Sequence, residues 1–284
     1  MLDIRRAASP ERGILERAHK KAEGFLRRHV IHMEDFEDLY GAPDVKKDAE
    51  RVSETRRRIE EGMSAEEKEA KKLADILEVI IHEQILEAGW LGPSARAIKT
   101  TPFDDIVNGV DEVVEFDEPP RGASHLALSL DITFGTGLRS KFERVRHEID
   151  SGKLARVKYF KSRGFRGEKT HLPRVVVGTE RRHVLELARL WVDDGKGQTL
   201  LKQSPFRRLL LKEIALELKA FSEYARKGGK EDAVLEYDRA HAIIAAVSDR
   251  QDGPGSQSGE WSDDRVCAAI ERHARGFTPT PTLA

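Results

Sequence analysis

Residues 126–135, LALSLDITFG, constrain this chain more than any other stretch. Side chains alternate along a strand. One face then carries Leu126, Leu128, Leu130, Ile132 and Phe134, all large and apolar. The other carries Ala127, Ser129, Asp131 and Thr133, all small or polar. The first face demands a core, and the second reads as the floor of a site. An ionised carboxylate is costly to bury without a partner. Asp131 therefore needs one, and a metal ion is one answer.

Helical patterns flank this strand. Ser9-Pro10 is a good cap and first-turn pair for a polar helix running to about Val30. A second charged helix is expected over 44–61, after the break at Gly41-Ala42-Pro43. Ser64 and Glu67 form a capping box for a third, amphipathic helix that ends at Gly89. From Ala97 the period changes to short β-prone runs separated by Pro102 and by Asn108-Gly109, a hairpin signal. After the 126–135 strand come a helix over 138–150, a strand over 153–162, a flexible basic loop over 163–171 and a buried strand over 172–178. Further helices are expected near 181–193, 204–227 and 230–248, then a linker by composition and a short helix over 262–275. This order predicts an α/β (α+β) chain: a mixed sheet core over 63–180 flanked by helices. Charged helices precede it over 1–62, a helical region follows over 181–248, a linker spans 249–261, and a short helix with a loose tail spans 262–284.

Hydrophobic residues make up 39% of the 284, enough for one core, and charged residues 35%, which implies long solvated helices. The net charge of −1 selects no partner. Cys267 is the sole cysteine, so no intrachain disulfide can form and a cysteine-based zinc site is not expected. Nothing at the start reads as a secretory leader, and no run approaches the ~18 apolar residues of a membrane span. A soluble cytoplasmic protein with no membrane partner is expected.

Acidic residues crowd positions 104–118: Asp104, Asp105, Asp111, Glu112, Glu115, Asp117 and Glu118, with no Lys or Arg among them. Asp111 opens a short β-run. If it neighbours Asp131 on an adjacent strand, the two carboxylates converge and repel unless a proton or cation lies between them. Oxygen ligands of this kind suit Mg²⁺ or Mn²⁺. On the third helix, with Ile80 at the centre of the apolar face, Glu87 falls near the centre and Glu83 at the edge, whereas Glu78 and His82 fall on the opposite, wet face.

This pattern resembles the PD-(D/E)XK nuclease superfamily, the restriction-endonuclease-like fold, whose core order of helix, three strands, helix, strand matches about residues 73–178. The resemblance rests on the Asp of NGVDEVV, Asp111, and the Asp of LSLDITF, Asp131, with Glu83 or Glu87 as the helical acid. It implies that these groups bind one or two divalent metals and activate a water for phosphodiester cleavage. The family's lysine, two residues after the second acid, is replaced here by Thr133. The hydroxyl of Thr133 could orient a water but carries no charge. Lys141 is the first candidate for a relocated lysine and Lys158 the second.

Between 139 and 182 there are 14 Lys and Arg against 5 Asp and Glu, with Phe142, Tyr159, Phe160 and Phe165 interleaved. Such a patch favours a phosphate backbone. Arg156, Lys158, Lys161, Arg163 and Arg166 are its candidate nucleic-acid contacts, with DNA ahead of RNA. FGTGLRS lacks the third glycine of a dinucleotide loop, and no acidic ribose ligand follows at the required distance. The rival to a nuclease is a catalytically inert domain that binds nucleic acid or protein, with the helical flanks serving a protein partner or homo-oligomer.

Overall fold

The computed structural model describes residues 10–118, 122–131, 136–193, 195–250 and 264–277. Helix α1 (Pro10–His29) buries a single stripe of Ile14, Leu15, Ala18, Ala22 and Phe25. That spacing puts one face of a 3.6-residue helix against a core and leaves its charges in water. A 3₁₀ turn (Met33–Phe36) and the short α2 (Glu37–Tyr40) lead through Gly41, at φ 83°, into α3 (Ala42–Gly62). Helix α3 buries only Val45 and Val52, two turns apart. Helix α4 (Ala65–Ala88) starts on the Ser64–Glu67 capping box and ends where Gly89 turns left-handed at φ 60°. Its C-terminal half is buried almost all round, Val79, Ile80, Ile81, His82, Gln84 and Ile85 included.

Strands β1 (Ala95–Lys99), β2 (Glu112–Glu118) and β3 (Gly122–Asp131) form an antiparallel meander. A five-residue π-helical turn, Asp104–Asn108, connects β1 to β2. Helix α5 (Thr136–Ser151) follows, then the hairpin of β4 (Ala155–Lys161) and β5 (Arg166–Leu172), a separate two-stranded sheet. Strand β6 (Arg174–Gly178) returns to the main sheet parallel to β3, giving the order β1-β2-β3-β6. The chain continues through α6 (Arg181–Trp191), α7 (Lys196–Lys202), α8 (Phe206–Lys227), α9 (Glu231–Asp249) and α10 (Arg265–Arg275).

The protein is thus a mixed α/β (α+β) chain with a small mixed sheet. One sheet face, through Val114, Phe116 and Leu126, joins a contiguous buried cluster that takes in α1, α4, α6, α8, α9 and α10. The other face, through Val113 and Ala127, packs beneath Val157, Phe160 and Leu172 of the β4–β5 hairpin. A third cluster of Met33, Phe36, Val45, Val52, Phe103 and Tyr159 fixes α3 and the preceding turn onto β4. Among the described residues no helix is long and apolar enough to cross a membrane.

Three local expectations change. Asn108-Gly109 closes a π-helical turn, with Gly109 at φ 65°, where a hairpin turn was read. The basic stretch read as a loop is largely strand β5, whose polar residues fit a two-stranded sheet with one wet face. The small-residue face of β3 is roofed at Ala127 by that hairpin and does not open to solvent there.

Candidate functional site

The end of β1 and the start of β2 are laced together before any chemistry is considered. Thr100 Oγ1 donates to Val110 O at 2.6 Å, and Lys99 Nζ donates to Asp111 O at 2.9 Å. Lys99 is 9% exposed, and its ammonium is ion-paired with Glu78 of α4. The π-helical turn between the strands is pinned by Asp104. Its carboxylate accepts from Thr101 Oγ1 at 2.9 Å, Asn108 Nδ2 at 2.6 Å, and the β4 amides of Lys158 at 2.7 Å and Tyr159 at 3.0 Å. Burial nevertheless raises its pKa, which those four bonds counter. Asp104 is therefore a structural acceptor.

Asp105, one residue on, points elsewhere. It lines a cavity of about 380 Å³ together with Asp111, Lys99 and Glu78. It is reachable by water from the cleft, yet protein encloses it. That enclosure, and next the neighbouring Asp111 carboxylate, which both repels it and hydrogen-bonds to it, raise its pKa from 3.8 to about 7. Lys99 and Lys71 pull the other way. Arg27 and His29 from the end of α1, Arg56 of α3, and Lys71 and Asp75 of α4, which pair at 3.5 Å, also line the cavity. The cleft thus has an acidic floor and a rim that is basic except for Asp75.

Asp111 is held from behind. Arg174, 1% exposed, donates to the carbonyls of Asn108, at 2.7 Å, and Gly109, and pairs with Glu148 of α5 at 2.8 Å. Arg144 of α5 reaches Val107 O at 3.5 Å and lies within range of the Asp111 charge. Beside the site, His82 Nδ1 lies 2.6 Å from Glu112 Oε1, both side chains buried. The second Glu112 oxygen has no hydrogen-bond partner among the described residues.

The sequence-predicted residues separate into three groups. Asp111 is in the cleft. The β2–β3 register, Glu112 opposite Leu128, puts the backbone of Asp131 at the same end of the sheet, paired with Gly178 of β6. Its side chain, and all of Thr133, lie outside the described residues. Lys141 is half-buried on α5, three and seven residues before Arg144 and Glu148 and so on their helix face.

Glu83 and Glu87 stand elsewhere. Glu83 accepts from Trp191 Nε1 at 2.6 Å, and Glu87 is exposed, 4.0 Å from Lys202. The α4 acid that lines the cleft is Glu78, and His82 is buried rather than wet. A single apolar stripe misjudges α4 because α1 and α6 pack on one side of it and the sheet on the other.

The basic candidates of the hairpin are mostly answered by acids of the preceding helical segment. Lys158 pairs with Asp48 at 2.5 Å, Lys161 with Asp35 at 3.2 Å, and Arg166 with Asp38. Arg156 pairs with Glu168 within the hairpin at 3.6 Å, and Arg163 is exposed. A charge count along one segment cannot see partners supplied by another. Sequence reasoning missed Asp105, Glu78, Lys99 and Arg144. Asp105 alone carried a signal, its place in the acidic run.

Among the described residues no three His, Cys, Asp or Glu side chains group as a metal site, so Asp105 and Asp111 are the convergent pair. No protein-family model, no curated protein and no solved structure matches the chain.

Proposed function

We propose that the chain is a cytoplasmic, divalent-metal-dependent nuclease of the PD-(D/E)XK kind that cleaves phosphodiester bonds in DNA, with its site in the Asp105–Asp111 cleft. The observation that carries this reading is the pair itself. Two carboxylates hydrogen-bonded to each other in one cleft, with the pKa of Asp105 raised by its surroundings first and by Asp111 second, make a seat that a hard cation would fill better than a proton. The topology supports it: α4, three antiparallel strands, α5 and, after the β4–β5 hairpin, a strand parallel to the third, with Asp111 just ahead of β2 and Asp131 closing β3.

The donor set fits Mg²⁺ or Mn²⁺, which Asp111 and Asp105 would hold, with Asp131 as a third ligand from its strand position. Such an ion supplies a water of lowered pKa and offsets charge on the phosphate. Lys99, anchored by Glu78, supplies the fixed positive charge that Thr133 cannot. Lys141, on the Arg144 face of α5, is the alternative source. Arg27 and Arg56 on the rim hold the strand's phosphates, beside Lys71, which is paired with Asp75 at 3.5 Å.

A second reading, an inert nucleic-acid- or protein-binding module, is favoured by one observation: Lys99 already has its counter-ion in Glu78. Incubation of linear, circular and single-stranded DNA with the full chain and Mn²⁺ or Mg²⁺ separates the two. Cleavage that is lost in Asp111→Asn and Lys99→Met supports the nuclease. Intact DNA, together with no calorimetric uptake of Mn²⁺, leaves the binding module.

A further inference from the structure

On the opposite face of α5 from Lys141 and Arg144, a second cavity of about 430 Å³ opens between α5 and α10. Three guanidinium groups line it, Arg139 and Arg146 of α5 and Arg272 of α10, against one carboxylate, Glu143. Glu143 is engaged by Arg139 at 2.7 Å. The one acid of α10, Glu271, is engaged by Lys212 at 2.8 Å and Arg275 at 3.4 Å. Among the described residues, no carboxylate lies within ion-pair distance of Arg146 or Arg272.

Arg146 is also held in place. The Arg146 guanidinium lies 4.2 Å from the Phe277 ring centroid and 4.8 Å from that of Tyr224, and donates to Gly276 O at 3.2 Å. Those contacts fix its plane and leave most of its five N–H donors unused. Among the described residues Arg272 spends only Nε, on Ala268 O at 3.3 Å. His273 is stacked on Phe142 at 4.9 Å with the planes 13° apart. Its pKa is lowered by burial first and then by Arg272 and Arg139, which marks the cavity as electropositive.

We infer that the α5–α10 cavity is a binding site for a phosphate group, held by the guanidinium forks of Arg146 and Arg272 with His273 beside them. The guanidinium of Arg146, fixed in plane and without a carboxylate partner among the described residues, and that of Arg272 beside it match the bidentate geometry of a phosphate oxyanion. The phosphate belongs either to a free small ligand or to a nucleic-acid strand, and the chemistry of recognition is the same. The site stands apart from the acidic cleft and does not rest on the nuclease reading.

Titration of the full chain, with its histidine rings followed by NMR, tests this directly. The His273 signals are assigned from His273→Asn. The probes are inorganic phosphate, a 5′-phosphorylated trinucleotide and the same trinucleotide without that phosphate, all without divalent metal. The expected result is a saturable His273 shift with inorganic phosphate, weakened about tenfold in Arg272→Gln, the factor for one lost charge-assisted hydrogen bond. Arg272 is exposed, so that variant keeps the packing that Arg146→Gln would disturb. Tighter binding of the phosphorylated trinucleotide than of inorganic phosphate assigns the site to a strand, and equal binding assigns it to a free ligand. No saturable shift with any probe, or a shift of equal affinity in Arg272→Gln, overturns the inference.

Discussion

Replacing Asp111 by Asn removes one charge from the cleft at almost constant shape, and its effect on stability should depend on pH. In the folded chain Asp105 is raised from 3.8 to about 7, by enclosure first and by Asp111 second. A folded-state pKa above the unfolded one means the native state binds the extra proton. The resulting stability is fully present below about pH 4 and is lost as pH rises to about 7. Asp111→Asn lowers the Asp105 pKa, so the variant loses less over that window. Taken whole, the rise from 3.8 to about 7 would correspond to about 4 kcal/mol. Asp105 is open to water in the cleft, which screens the repulsion, and only the Asp111 share is removed. A charge pair at hydrogen-bonding distance near a surface is then worth about 1–2 kcal/mol. Urea unfolding at pH 4.5, 6 and 8 should show Asp111→Asn gaining that much relative to wild type between the lowest and highest pH. A stability difference that is flat across the three pH values, or that moves the other way, refutes the paired-carboxylate argument.

Two further substitutions test how the site is held. Asp264 caps α10, accepting from the Val266 amide at 2.8 Å and the Cys267 amide at 2.9 Å, and also meets His183 Nδ1 at 2.7 Å. Burial opposes its ionisation, but these bonds and one from Thr179 hold its pKa at about 2. Asp264→Ala should cost about 3 kcal/mol at pH 7 in urea unfolding. Because the folded pKa is depressed, part of that cost should vanish as pH falls from about 4 toward 2; a cost under 1 kcal/mol at neutral pH would remove the cap from the account. Gly109→Ala forces a side chain onto a φ of 65° and drives its Cβ into the Arg144 guanidinium. It should lower stability by about 1–2 kcal/mol by the same assay, and an unchanged midpoint would show that the turn tolerates the methyl group.

Features written in local chemistry were legible before the structure. The Ser64–Glu67 box and Gly89 mark both ends of α4, and Asp111 stands at the mouth of β2, while Ser9, the expected cap of α1, lies outside the described residues. Features that depend on what another segment brings were not. Glu78 reads as a water-facing residue because nothing in α4 announces that Lys99 arrives from β1. Lys158 and Lys161 read as candidate phosphate contacts because Asp48 and Asp35, more than 100 residues earlier, are invisible to a local count. Asn108-Gly109 gave the right break and the wrong turn, since Gly109 serves a π-helical exit as readily as a hairpin.

The buried layer behind the sheet has a consequence for how the molecule is made. Strand β6, the neighbour of β3, is hydrogen-bonded from α8, where Glu217 accepts from the Val176 amide at 2.9 Å. The residues leaving β6 are clasped by Asp264, 84 positions after Glu180. A ribosome extruding this chain releases α4 and the first three strands long before the elements that secure their fourth partner. Contacts so distant along the chain form late and slowly. Strand β6 should therefore be the last part of the sheet to become rigid during synthesis. Hydrogen exchange on nascent chains halted at residue 250 would show it as weak protection in β6 beside strong protection in α4.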